Sequence, residues 1–574
     1  MITYTLYQKN PASHYIYIDL EIEGINADLT ELQLPAWRPG RYELGNFAKN
    51  IKRVDVFDTE GKTLPYQKQN KDCWQINTKG HQKIKVTYSY YAAEMTAGSC
   101  FADVHQIYIN PVHCCMYVKG RTDELHRLTV KAPDSYKMAC ALVSANRTIE
   151  ARSYDELADS PFIVSPTLQS GSFEVDQVLF YLHFQGECRP DFEKIIKDFT
   201  AYTKKQFEFW EEFPVKEYHY LFQITPQRFY HGVEHQASTV IALGPAFAIN
   251  EGTVYEDLLG VSSHELFHTW NVKFIRPAEM LPYDLSKENY ARTGYVYEGF
   301  TTYYGDKMLL SSGVFNLQQW FVTFEERLQK HFHNFGRYNL SVAHSSWETW
   351  LDGYMPGAPY RKTNIYDEGS LIAFMLDINI LRLTGNKRSL RDVCRLLYRR
   401  FGKTGKGYGE EDIIGLVNEV AGSDLRPFFN EYVYTPNDFE KPLQDCLSYI
   451  GLQFSKKPSQ HINEHLFGFK ISEGSVAKLT LVAPYSPAWK AGLFSGDEIV
   501  AVNGMAVRAG LSQWLTYFSV EDKLTLSYIS NEQLKTTILE KDKKNNTWFW
   551  IPEMGKKENP TEQSEEAYAG WLAT

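Results

Sequence analysis

Four residues of this chain have the types and spacing to hold and use a metal ion. His264 and His268 stand four apart in His264-Glu265-Leu266-Phe267-His268. On a helix that spacing puts both imidazoles on one face, about one turn apart, where they can reach one ion. Glu265 follows the first histidine, placed to act on a water at the metal rather than to ligate it. Further on, Tyr297-Glu298-Gly299-Phe300 lies on a second predicted helix, and Glu298 supplies a third ligand. Two imidazoles and a carboxylate leave one position open, as a catalytic zinc needs and a structural zinc lacks. One Zn²⁺ per chain is expected.

These side chains need rigid elements. Leu258, Leu259, Val261, Leu266, Phe267 and Trp270 are apolar enough for a buried helix. On the second helix Glu298, Thr302 and Asp306 recur at every fourth position, and Ser311-Ser312-Gly313 marks a stop. Asp306 is placed either to support a ligand or to stand as a solvated charge. The fold expected is a multidomain α+β chain. Residues 1–185 alternate apolar and polar, as in Tyr15–Glu23 and Lys83–Tyr91, and read as an antiparallel β-sandwich-like domain. Residues 186–447 read as a small sheet followed by a helical lobe that carries the metal site. Residues 448–545 return to short strands. Residues 546–574 read as a polar tail, with Trp571 and Leu572 as an anchor at its end.

The chain has 574 residues and a net charge of -10, with no basic block, so nucleic acid is not an expected partner. No apolar run is long enough to span a membrane. The N-terminus lacks the charged and apolar regions of a signal peptide, and the eight cysteines are scattered with no CxxC pair. A cytoplasmic location follows as the expectation. Pro35-Ala36-Trp37-Arg38-Pro39-Gly40-Arg41-Tyr42 is a rigid turn. Its simplest reading is a loop packed by its own Trp37; the alternative is a wall of the substrate cleft.

His264-Glu265-Leu266-Phe267-His268-Thr269-Trp270-Asn271 with Tyr297-Glu298-Gly299-Phe300 resembles the gluzincin metallopeptidases. The gap between His268 and Glu298, the Trp-Arg-Pro-Gly-Arg-Tyr turn and a C-terminal PDZ-like segment resemble the glycyl aminopeptidase family in particular. The resemblance implies a thermolysin-like catalytic domain over 186–447 and further roles. Gly232-Val233-Glu234-His235 is similar to the Gly-x-x-Glu strand of that clan, which makes Glu234, with Gly232, the holder of the substrate's free amine. Here His235 replaces the Asn of aminopeptidase N-like enzymes. Asn364-Ile365-Tyr366-Asp367-Glu368-Gly369 resembles Tyr-x-Lys-Gly, which makes Tyr366 the donor to the oxyanion, with Glu368 in the lysine's place.

Ser486-Pro487-Ala488-Trp489-Lys490-Ala491-Gly492-Leu493 through Asn503-Gly504 resembles a PDZ domain. Leu466-Phe467-Gly468-Phe469 would then be the loop that captures a peptide's C-terminal carboxylate. The alternative is a module packed on the catalytic lobe that binds nothing free. The expected activity is a zinc aminopeptidase that removes small N-terminal residues, Gly or Ala, from peptides with a free N-terminus, with Glu265 as general base. A zinc endopeptidase and a catalytically silent PDZ adaptor are the alternatives.

Overall fold

A computed structural model describes residues 1–355, 357–543 and 547–573. The N-terminal region is β-rich, as the alternation requires. In Tyr15–Glu23 every second residue is buried, and Ile16, Ile18, Leu20 and Ile22 pair with Tyr90, Tyr88, Val86 and Ile84 of the antiparallel strand Lys83–Tyr91. Burying one face of each strand holds that register, because a one-residue slip would turn the apolar set to solvent. These strands belong to a seven-stranded sheet, beside two four-stranded sheets. One pair departs from the antiparallel expectation: Ile2–Gln8 runs parallel to His126–Lys131.

The strands Gln169–Val175 and Val178–Gln185, expected to close the N-terminal domain, pair elsewhere. Val178–Gln185 lies parallel to Glu217–Ile224 in the five-stranded sheet of the catalytic lobe. A strand's own alternation does not say which sheet it joins. At the edge of this sheet runs Phe229–Glu234, antiparallel to Ser238–Gly244. Helices follow: Gly252–Phe267, Thr301–Ser311, Leu317–His333 and Asp367–Leu383 surround the site. One apolar core runs through the N-terminal region and the catalytic lobe. The PDZ module has its own, around Phe467, Phe469, Leu479, Ile499 and Leu526.

Two expectations at the C-terminus are corrected. The segment read as a polar tail is ordered structure. Trp550–Lys556 pairs with Leu452–Pro458, and the helix Glu562–Ala573 buries Ala567 and Trp571, whose indole donates to the Tyr303 hydroxyl at 2.7 Å. Its mean polarity hid a period of two in the strand and an i,i+4 pair in the helix. The boundary expected at 545/546 lies outside the described residues. The loop Leu466–Phe469 is closed rather than open to a carboxylate. It continues a short helix, so the N–H groups of Leu466 and Gly468 already donate to Ile462 and Glu464 carbonyls. Phe467 and Phe469 are core residues, and Ser486 and Trp548 press on Gly468. No described helix is long and apolar enough to cross a membrane, and all eight cysteines are buried free thiols.

Candidate metal centre and active site

His264 lies in the last turn of Gly252–Phe267, and His268 caps that helix. Glu298 sits on a π-helical stretch, Tyr295–Phe300, that leads into Thr301–Ser311. Such wide turns recur at functional sites because they re-aim one side chain. The three groups converge. The two Nε2 atoms are 2.9 Å apart, and Glu298 Oε2 is 3.3 Å from His268 Nε2 and 3.8 Å from His264 Nε2.

Several observations fit a cation here. Glu298 Oε2 is buried without a hydrogen-bond partner, a costly state for a carboxylate oxygen. Burial opposes charging His268, but Glu298 and then Glu234 and Glu265 outweigh it and push its pKa up to about 10. The carboxylates thus call for positive charge at this point. Burial, with His268 and Arg327 nearby, holds His264 well below its usual value, hence neutral. His268 Nδ1 lies 2.8 Å from the Asn271 carbonyl, a contact that puts the proton on Nδ1 and turns the Nε2 lone pair inward. Asn271 in turn donates to the Val296 carbonyl and Thr301 hydroxyl, tying the first helix to the segment that carries Glu298. These residues fit a three-ligand zinc.

The base and the amine-site candidate lie beside the ligands. Oxygens of Glu234 and Glu265 and a nitrogen of His268 all fall within 4.8 Å of one another. Burial pushes the Glu265 carboxyl well above its usual range; His268 opposes this and Glu234 and Glu298 add to it. Gly232 is where this strand passes Glu265: a β-carbon there would overlap Glu265 Oε1. Tyr366, at the start of Asp367–Leu383, opens on the same cleft as His264 and Glu265. Its hydroxyl is 3.0 Å from that of Tyr354. Burial, then Glu298, keeps it protonated, a donor rather than a phenolate.

Glu368 turns away from the centre. It is buried against His331 at 3.2 Å and accepts from Thr363. Asp306 does not face a ligand either: it pairs with Arg327, which also binds Asp367 at 2.9 Å. His235 packs on Asp159, which also accepts from Lys273 and from the Gln236 backbone N–H, each at 2.7 Å. Burial acts to raise the Asp159 pKa, but Lys273 and His235 hold it below the usual carboxylate range.

Two domain models of one peptidase family match this chain. The Peptidase M61 N-terminal domain matches residues 3–166, and the M61 glycyl aminopeptidase domain matches residues 257–372, a span that includes every ligand candidate, Glu265 and Tyr366. Both matches are to the M61 glycyl aminopeptidase family. The chain is a zinc metalloaminopeptidase of α+β build with a PDZ domain, matched over residues 479–526. An aminopeptidase N family protein from Idiomarina loihiensis overlaps 100% of this chain and 100% of its own, at 26% identity and a TM-score of 0.90. An M1 zinc metallopeptidase mutant from Deinococcus radiodurans, bound to a Tyr-Ser-Ala substrate, overlaps 76% of this chain and 94% of its own, at 13% identity and a TM-score of 0.46. No curated protein matched the sequence.

The N-terminal domain contributes to the site directly, in line with the cleft-wall alternative for the turn at 35–42. Trp37 packs against Tyr283 and Trp350 of the catalytic lobe. The Tyr42 hydroxyl donates to Glu298 Oε1 at 2.7 Å. Gly40, at φ +78°, lies against Glu234, and a β-carbon there would overlap the carboxylate. Arg38 is buried behind it, donating to the Pro39 carbonyl and reaching His231 at 3.5 Å. Tyr42, Tyr354 and Asn271 carried no local signal of their roles. Each acts on a residue distant in sequence or through a backbone carbonyl.

Proposed function

We propose that this chain removes small N-terminal residues, Gly or Ala, from peptides with a free N-terminus, using one zinc held by His264, His268 and Glu298. One observation carries the amine requirement. Glu234 Oε1 is buried and has no hydrogen-bond partner, yet the carboxylate lies beside Glu265. A buried carboxylate lacking a donor is destabilising. A substrate α-ammonium would supply the donor and set the register one residue from the scissile bond.

A zinc ion in this position supplies a Lewis acid that activates water and polarises the scissile carbonyl. The residues do the rest. Phe229–Glu234, at its sheet edge, presents backbone to an extended peptide. Glu265 takes a proton from the attacking water and hands it to the leaving amine; its raised pKa brings it nearer to neutral pH, where such transfer works best. The Tyr366 hydroxyl, held protonated, donates to the oxyanion.

The test uses the zinc-loaded chain with Gly-, Ala-, Leu- and Phe-arylamides and with amine-acetylated peptides. Cleavage of free-amine Gly and Ala substrates alone is expected, and Glu234→Ala should remove the distinction between free and acetylated amines. Equal cleavage of acetylated peptides by the wild type would make the enzyme an endopeptidase. No cleavage of either would leave the adaptor reading.

A further inference from the structure

The cleft that contains His264 and Glu265 does not end within the catalytic lobe. It encloses about 1760 Å³, and its far wall is built by Leu481, Val482, Trp489 and Phe494 of the PDZ module. Small-molecule sites occupy ~300–1,000 Å³, so this volume suits a longer occupant. The wall is fastened to the lobe. The Tyr360 hydroxyl donates to the Val482 carbonyl, and Lys470 donates to His333 at 2.9 Å.

The module's expected binding loop is closed, as described above, while the face toward the cleft is open. Trp489 is 44% exposed and Phe494 60% exposed, and neither belongs to the module's core. Both line the same cleft, and apolar area exposed inside a cleft is where a ligand docks. The cations along the cleft face carboxylates: Arg41 meets Glu43, Arg228 meets Asp257 at 2.5 Å, Arg327 meets Asp367, Arg361 and Lys362 meet Asp352 at 2.8 Å, and Lys330 meets Glu326 at 4.0 Å. What this end offers is apolar area, not charge for a terminal carboxylate. An occupant must also be thin enough to lie in the cleft while one end reaches His264, which describes an extended peptide.

We propose that Trp489 and Phe494 bind apolar side chains in the downstream part of a peptide substrate, so that the PDZ module is the distal wall of the peptidase's own cleft. The proposal rests on the peptidase reading above. It makes this enzyme selective by peptide length and by downstream sequence, not only by the first residue.

The experiment compares the full zinc-loaded chain with its Trp489→Ala/Phe494→Ala double variant. Substrates are Ala-arylamide, which is too short to reach the PDZ wall, and Ala-initiated peptides of equal length bearing Leu and Phe or Ser and Gly downstream. The wild type should favour the apolar peptides by about tenfold in kcat/KM, as expected for an aromatic contact surface, through KM. The double variant should lose that preference and keep arylamide hydrolysis. A wild type without the preference, a variant that retains it, or a parallel fall on all substrates would overturn the proposal. If the wild type cleaves no free-amine substrate, the peptidase reading has failed instead. Binding of a labelled apolar peptide to the Glu265→Gln chain then decides: loss of binding on adding the double substitution supports the surface, and absence of binding overturns it.

Discussion

Gly299 and Gly369 meet backbone to backbone: a β-carbon on Gly299 would fall 2.5 Å from the Gly369 Cα. Gly299 follows the ligand candidate Glu298, and Gly369 lies three residues after Tyr366. The contact therefore sets the distance between the segments that carry Glu298 and Tyr366.

Gly299→Ala should part the two helices. Overpacking of this kind costs ~1–3 kcal/mol. We expect a lower denaturation midpoint together with reduced zinc content, measured on the same preparation. Wild-type values for both would show that the contact yields without moving Glu298.

Tyr42→Phe removes the donor that fixes Glu298 from the N-terminal domain. Loss of such a support typically weakens metal binding by ~10–100-fold. Competition with a chromogenic chelator should show this at unchanged circular dichroism. Unaltered zinc affinity would reduce Tyr42 to a packing residue.

Glu265→Gln keeps the shape of the side chain but not its basicity. Bound zinc and melting behaviour should match the wild type while arylamide turnover falls by at least ~10²-fold, the scale of general-base catalysis. Turnover near the wild-type level with zinc bound would exclude Glu265 as the base.

His333 ties the lobe to the PDZ module. Its ring donates through Nε2 to the Trp550 carbonyl at 2.7 Å and accepts at Nδ1 from Lys470. Burial, then Lys470, pushes its pKa down to about 4 from the usual 6.5. The unfolded chain therefore binds this proton more readily between those values. The contribution to stability is full above about 6.5 and falls as pH drops towards 4. His333→Gln should flatten the acid side of the melting profile in that window. A profile identical to the wild type's would exclude His333 as its source.

The candidate ligands were legible because a helix repeats every 3.6 residues: the spacing of His264 and His268 is a local property that survives in any fold. The PDZ segment was legible for a similar reason, since its turn and strand residues are contiguous. Trp571 was legible as an anchor and is buried, but the C-terminal strand and helix were missed because Trp550, Met554 and Ala567 each bury one side against distant elements, while their neighbours stay polar. The assignment of Val178–Gln185 failed because strand pairing is a long-range choice.

The amino-acid sequence by itself determined the candidate ligands, the candidate base beside them and the β-rich, helical and PDZ order of the chain. All are encoded in short spacings and periodicities. Tertiary structure alone decided that Tyr42 supports Glu298 across 256 positions, that Gly40 closes on Glu234, that Glu368 pairs with His331, and that Trp489 and Phe494 face the cleft. These relationships join segments remote along the chain. They exist only once burial of the apolar faces has fixed which elements touch, and no local pattern records that outcome.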